Sequence, residues 1–163
     1  MIELENKYKV DKVSIDLNNL AYTLIGDVYK SKYVRIRVYV QPQTLVVKRY
    51  ITFKVGKGRR RIEIELPIPK FMYNFFVNKR QPTLWKKRYD FSGGVSIDQY
   101  IFWGEQDDEL FLIEVEGLNK GNKDFLNCLT IGSQVENVTN NECFRGYELY
   151  KKVLTEKNKD SII

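Results

Sequence analysis

The chain has 163 residues, 27 of them basic and 21 acidic, for a formal charge of +6, with 43% hydrophobic and 13% aromatic residues. That composition excludes a disordered chain and suits one folded domain, expected over residues 1–156 with a frayed tail at 157–163. Histidine is absent and the two cysteines, Cys128 and Cys143, form no Cys-x-x-Cys pair. These absences exclude Ser-His-Asp and Cys-His catalysis, an imidazole-held metal, a thiolate zinc site and a disulfide framework.

No apolar run approaches the roughly 20 residues that cross a bilayer, so no membrane segment is expected. Residues Met1 to Lys7 carry acids where a secretory signal needs a basic and then an apolar stretch. The expected location is therefore cytoplasmic. Any metal must be held by carboxylates, which favours Mg²⁺ or Mn²⁺. The positive charge alone does not choose between an anionic partner and a lysine-rich surface.

Taken in chain order, alternation with period two dominates. Ile2 and Leu4 alternate with Glu3, Glu5 and Lys7. Val13, Leu17, Leu20 and Leu24 then fall at helical spacing, with Asp11 as a candidate N-cap. Val34, Ile36 and Val38 alternate with Arg35 and Arg37; Ile51, Phe53 and Val55 with Tyr50, Thr52 and Lys54; Ile62, Ile64 and Leu66 with Arg61, Glu63 and Glu65. Each pattern predicts a strand with one apolar and one charged face. Gly56-Lys57-Gly58 predicts a hairpin between the last two. After Pro67 and Pro69, Phe71, Phe75 and Phe76 predict a second helix. Leu84 to Asp90 and Val95 to Phe102 read as strands joined at Ser92-Gly93-Gly94. Phe111, Ile113 and Val115 alternate with Leu112, Glu114 and Glu116, and a third helix is expected from Asn141 to Lys157.

The charged faces carry the chemistry. Glu3/Glu5, Arg35/Arg37, Glu63/Glu65, Lys86/Arg88 and Glu114/Glu116 are like-charged doublets at i and i+2. Such pairs share a strand face about 6.6 Å apart, where like charges repel. One doublet is an accident of surface composition; five of both signs ask for a reason. An α+β protein supplies it: a closed antiparallel β-barrel of about eight strands, its charged faces lining a polar tunnel and its helices packed outside. Carboxylates there can ligate a cation, and Arg and Lys can neutralise phosphate oxygens.

At this point the residues resemble the CYTH superfamily, the triphosphate tunnel metalloenzymes. Glu3-Leu4-Glu5-Asn6-Lys7 is similar to its N-terminal Glu-x-Glu-x-Lys signature. Arg35-Ile36-Arg37, Thr52-Phe53-Lys54, Arg61-Ile62-Glu63-Ile64-Glu65, Lys86-Lys87-Arg88-Tyr89, Ile97-Asp98-Gln99-Tyr100 followed by Gly104, and Glu114-Val115-Glu116 follow in the family's order. The segment from Gly132 to Asn140, followed by Tyr147 and Leu149, resembles its closing segment. The likeness spans residues 2 to about 150. One departure is Asp27, in the second-strand region Gly26-Asp27-Val28-Tyr29, where many relatives carry Gln.

The resemblance implies a divalent-metal-dependent phosphoanhydride hydrolase that takes the terminal phosphate from inorganic tripolyphosphate or a nucleoside triphosphate. It implies that Lys7, Arg35, Arg37, Lys54, Lys86 and Arg88 hold the triphosphate. Glu3, Glu5, Glu63, Glu65, Asp98, Glu114 and Glu116 would bind Mg²⁺ or Mn²⁺, and Glu3, Glu5, Lys7, Glu114 and Glu116 form the catalytic set. A class IV-type adenylyl cyclase, an RNA 5′-triphosphatase and a non-catalytic nucleotide or polyphosphate binder are the alternatives. The expected partner is a small-molecule triphosphate, with no membrane and no nucleic acid save an RNA 5′ end. The six basic candidates and the six doublet glutamates cancel, which leaves the +6 outside them. Arg59, Arg60 and Arg61 read as a solvated loop rather than a nucleic-acid patch, Trp85 and Trp103 as packing residues, the cysteines as inert and Lys151-Lys152 as an exposed helix face.

Overall fold

The computed structural model describes residues 2–57, 60–78, 81–101, 110–116 and 120–160. Its elements in chain order are β1 (Ile2–Val10), β2 (Thr23–Tyr29), β3 (Val34–Gln41), β4 (Val46–Lys57), β5 (Arg60–Pro67), α1 (Lys70–Phe76), β6 (Leu84–Phe91), β7 (Val95–Ile101), β8 (Leu110–Glu116), α2 (Lys120–Leu129), β9 (Val135–Asn137) and α3 (Gly146–Asp160). The nine strands form one antiparallel sheet in the order β5-β4-β3-β2-β6-β7-β8-β1-β9, and β1 pairs in addition with β5. One edge of β1 thus meets β8, while the other meets β5 over Ile2–Leu4 and β9 over Tyr8–Val10.

Every strand expected from alternation forms. The hairpin ladder of β4 and β5 runs further than the turn signal suggested, to Lys57 opposite Arg60. Between β6 and β7, Gly93 and Gly94 take φ of 79° and 74°. That backbone region is cheap for glycine and strained for other residues.

The helix expected from Val13 to Leu24 does not form. Residues 11–22 are irregular, and Leu24 belongs to β2. Asp11 caps no helix; its carboxylate accepts from Lys12 N and Gln134 N, both at 2.9 Å. Asp16 accepts from Asn18 N and from Asn19 Nδ2, the side chain-to-backbone bonding by which Asp and Asn draw a chain away from helix. Val13, Ile15 and Leu17 pack against the core instead, a period-two pattern hidden inside the helical spacing.

Two apolar clusters position the sheet. In the first, Val10, Tyr89, Val95, Ile97, Phe111, Ile113 and Val115 meet Leu126 and Leu129 of α2. In the second, Leu149, Tyr150 and Val153 of α3 pack with Tyr29, Leu84, Tyr100 and Leu112. Those four residues stand two positions from Asp27, Lys86, Asp98 and Glu114, so they share the charged face. The expectation of helices packed outside therefore holds for α2 and needs correction for α3, which covers one apolar end of the charged face. α1 differs again: Phe71 and Phe75, expected to form a packing stripe, are 73% and 84% exposed. Among the described residues, no helix is long and apolar enough to cross a membrane.

The entry of α3 leaves no room for a side chain. A Cβ placed on Gly146 would overlap the Tyr29 hydroxyl. We expect Gly146→Ala to cost about 1–3 kcal/mol, as overpacking does, read as a lowered Tm in thermal denaturation. Tyr29→Phe, which removes the obstructing oxygen, should recover part of that loss in the double variant.

Candidate active site

The strands expose a single file of charge on one face because residues two apart share a side. Across the ladders, that file is put in register: Lys7 stands opposite Glu114 and Glu5 opposite Glu116. Asp27 stands opposite Arg37, Lys54 opposite Glu63, and Arg88 opposite Asp98. Cross-strand neighbours of this kind lie close enough to pair.

A cavity of about 220 Å³ opens on this face. Six cationic side chains line it: Lys7, Arg35, Arg37, Lys54, Lys86 and Arg88. Seven carboxylates do so too, from Glu5, Asp27, Glu63, Glu65, Asp90, Glu114 and Glu116. All six expected phosphate-binding residues are therefore brought together, with five of the expected acids. Asp98 lies behind the wall, fully buried. The Glu3 side chain lies outside the described residues, as do Arg59, Phe102, Trp103 and Gly104.

Each cation rests on an acid. Arg37 donates through Nε and Nη2 to the two oxygens of Asp27, at 2.6 and 2.7 Å. Arg35 lies between Asp27, Glu63 and Glu65, at 3.6, 3.3 and 3.4 Å. Arg88 donates through Nε to Asp98 Oδ1 at 2.7 Å and through Nη2 to Oδ2 at 2.6 Å, and also pairs with Glu114. Lys86 pairs with Asp98, and Lys54 with Glu63. Lys7 lies 2.7 Å from Glu114 and 3.4 Å from Glu5. Asp98, expected as a metal ligand, gives both its oxygens to Lys86 and Arg88. Glu65 accepts from Thr52 at 3.1 Å.

These contacts fix the charge states. Burial opposes the Asp27 carboxylate, yet Arg37 and Arg35 outweigh it and hold the group well below the usual carboxylate range. Glu114 is likewise buried but held well below its ordinary value by Lys7 and Arg88. Lys54 moves the other way: burial first, then the neighbouring Arg35 charge, lowers it from 10.5 to about 7 against the pull of Glu63. Burial and Arg88 lower Lys86 as well. The Nε of Arg35 is buried without a hydrogen-bond partner among the described residues. A buried donor left unpaired costs free energy, which an incoming acceptor would recover.

The lining acids that the sequence reading did not assign are Asp90 and, buried and paired with Arg37, Asp27. The only signal for Asp27 was the alternation Ile25-Asp27-Tyr29, which puts an acid on the face that carries the other charges. Tyr29, Tyr39 and Tyr100 also line the cavity, with Arg37 donating to the Tyr39 hydroxyl at 3.0 Å.

As for a metal, no group of three or more acids among the described residues forms a preformed cage. The donor set nonetheless fits a hard cation. Glu5 and Glu116 stand side by side across β1 and β8, with Glu114 one step further along. Mg²⁺ is commonly bound by one or two carboxylates together with substrate phosphates, rather than by a protein-only cage.

The chain is similar to solved structures of the hypothetical protein NE1496, at 20% identity and a TM-score of 0.48 over 91% of this chain and 97% of that one. A structure described as the inorganic triphosphatase NE1496 gives 19% identity and 0.48 over 91% and 93%. A conserved hypothetical protein from Pyrococcus furiosus gives 21% and 0.41 over 77% and 88%. No protein-family model matches the chain, and no curated protein matches it significantly.

Two measurements check the electrostatics. Asp27→Asn would leave Arg35 and Arg37 buried without their shared counter-charge, and should cost about 3–5 kcal/mol in denaturant unfolding. In metal-free buffer, stability should rise with pH from about 7 to about 10, because the unfolded chain keeps a Lys54 proton that the folded chain has released. Lys54→Met should flatten part of that rise in denaturation curves taken across the window; Lys86 accounts for the remainder.

Proposed function

We propose that the chain belongs with the triphosphate tunnel enzymes and is a divalent-metal-dependent triphosphatase acting on inorganic tripolyphosphate or a nucleoside triphosphate. The observation that carries this is the convergence of six cations from four strands on one small cavity, each already set in place by an acid. The pairing of β1 with both β8 and β5 favours a sheet closed into a tunnel around that cavity.

The charge balance supports metal dependence. The lining holds one more carboxylate than it holds cations, and Asp98 stands behind it. A polyphosphate entering alone would meet a net negative wall. Glu5, Glu114 and Glu116, with Glu3, would hold Mg²⁺ or Mn²⁺, which offsets phosphate charge and lowers the pKa of a bound water.

The remaining work falls to the chain's own residues. Phosphoryl transfer needs little covalent help from protein; it needs positioning and charge stabilisation. Arg35 and Arg37 present guanidinium forks whose orientation is fixed by Asp27, so little reorganisation is needed as charge moves. Lys86 and Arg88 are fixed in the same way by Asp98. Lys54, lowered toward neutrality in the empty site, regains its proton beside an anionic oxygen and then stabilises it. At the α3 end a chamber of about 350 Å³ shares Tyr29, Lys54 and Gly146 with the charged cavity.

A second observation favours accepting an organic triphosphate. A chamber of about 320 Å³ adjoins the charged cavity and shares Tyr39, Glu65, Arg88 and Asp90 with it. Ile25, Val46 and Tyr50 add apolar surface, and the Tyr39 and Tyr50 rings meet edge to face at 5.5 Å. An apolar group attached to the phosphate chain would find contact there.

Phosphate release from tripolyphosphate and from ATP, with Mg²⁺ or Mn²⁺ and after chelation, tests the proposal. Arg35→Ala, Arg37→Ala, Lys54→Ala and Arg88→Ala should each lower kcat/KM by about 10–1000-fold. Glu5→Gln and Glu116→Gln should raise the metal concentration needed. Lys87→Ala should change little, because Lys87 lies on the opposite face, over the Tyr22 ring. Cyclic AMP and pyrophosphate from ATP would indicate a cyclase instead, and tight binding without any product a sequestering protein.

A further inference from the structure

We infer that two copies of the chain associate through the outer face of β4 and β5 together with α1. On several other strands the outer face is covered. α2 and residues 11–22 lie over the β1, β7 and β8 side, and Val28, Ile36 and Val38 of β2 and β3 are buried. α1 lies on β4 at Arg49, and Phe53, Val55, Ile62, Ile64 and Leu66 are left exposed.

The uncovered face is apolar and regular. Phe53 and Val55 of β4 are 37% and 62% exposed; Ile62, Ile64 and Leu66 of β5 are 46%, 52% and 49% exposed. Register places Phe53 beside Ile64 and Val55 beside Ile62, so the five make one patch. The chain then passes from Leu66 into α1, which lies against β4 with Tyr73 stacked on Arg49, and presents Phe71 and Phe75 to solvent. These side chains alternate with the charged residues of the cavity, so none of them can turn inward without ejecting a site residue.

The area decides the occupant. The exposed parts of these seven residues amount to about four whole apolar side chains, on the order of 600–800 Å². That exceeds the largest apolar patch of most monomers, and it matches the roughly 800 Å² per partner of a standard interface. Two copies each carrying +6 repel, so they can approach closely only through a surface without charge. The five strand residues provide one, and a sheet face can stack on its own symmetry mate as an isologous pair.

Sedimentation equilibrium of the full chain tests this. A species of twice 19.3 kDa is expected at micromolar concentrations. Ile64→Lys on the strand and, separately, Phe75→Lys on the helix should each shift the mass toward the monomer. Both should keep the wild-type phosphate release, since neither residue lines the charged cavity. A wild-type monomer across the concentration range would overturn the inference. So would a dimer that survives both substitutions, or a monomer that co-sediments with neutral phosphatidylcholine vesicles. None of these readouts depends on the proposed catalysis, so an inactive dimer would count against that activity alone.

Discussion

Buried carboxylates among buried cations are what the charged face depends on. An uncompensated guanidinium sealed beneath a sheet costs several kcal/mol, enough to threaten a domain of ordinary stability. Asp27 removes that cost for Arg37 and shares the work for Arg35; Asp98 does the same for Lys86 and Arg88. The same acids make the side chains rigid. A flexible surface lysine would lose rotamer freedom on gripping an anion, whereas these groups have already lost it during folding. Their presence also cancels the attraction that an all-cationic pocket would have, and the proposed metal dependence rests on that balance.

Much of this was legible in the sequence, for a definite reason. A strand between two environments repeats every two residues, so Arg35/Arg37 or Glu114/Glu116 announces its face without any knowledge of neighbours. What alternation cannot announce is which acid meets which cation. That depends on β2 lying beside β3 and β6, and β1 beside β8, which are choices of the whole sheet. The face that Asp27 occupies was therefore visible from the alternation Ile25-Asp27-Tyr29, and its partner was not. Its partner Arg37 is ten positions away, and only the β2–β3 ladder puts them opposite.

Helices were harder to read. α2 was missed: its sequence, Lys120-Gly121-Asn122-Lys123-Asp124-Phe125-Leu126-Asn127-Cys128-Leu129, is rich in weak helix formers. Its stability comes from Leu126 and Leu129 docking on the sheet, a tertiary effect. Residues 11–22 failed in the opposite sense, because Val13 and Leu17 satisfy helical and alternating spacing alike. Local bonds from Asp16 then settled the conformation.

The position of β1 has a consequence for how the chain assembles. Its neighbours are β5 near residue 60, the strand ending at Glu116 and the short strand at Val135–Asn137. β1 thus needs strands far along the sequence to fill its hydrogen bonds. During synthesis from the N-terminus, β2 through β7 can pair with near neighbours in order. β1 waits with most of its backbone groups unpaired until more than a hundred further residues have emerged. Non-local closure of this kind slows folding through the entropy of the long loop. It also leaves an unpaired edge rich in alternate apolar residues, which other chains can join. Glu3, Glu5 and Lys7 interrupt that edge with charge, so the residues read here as gripping metal and phosphate also discourage the waiting strand from finding the wrong partner.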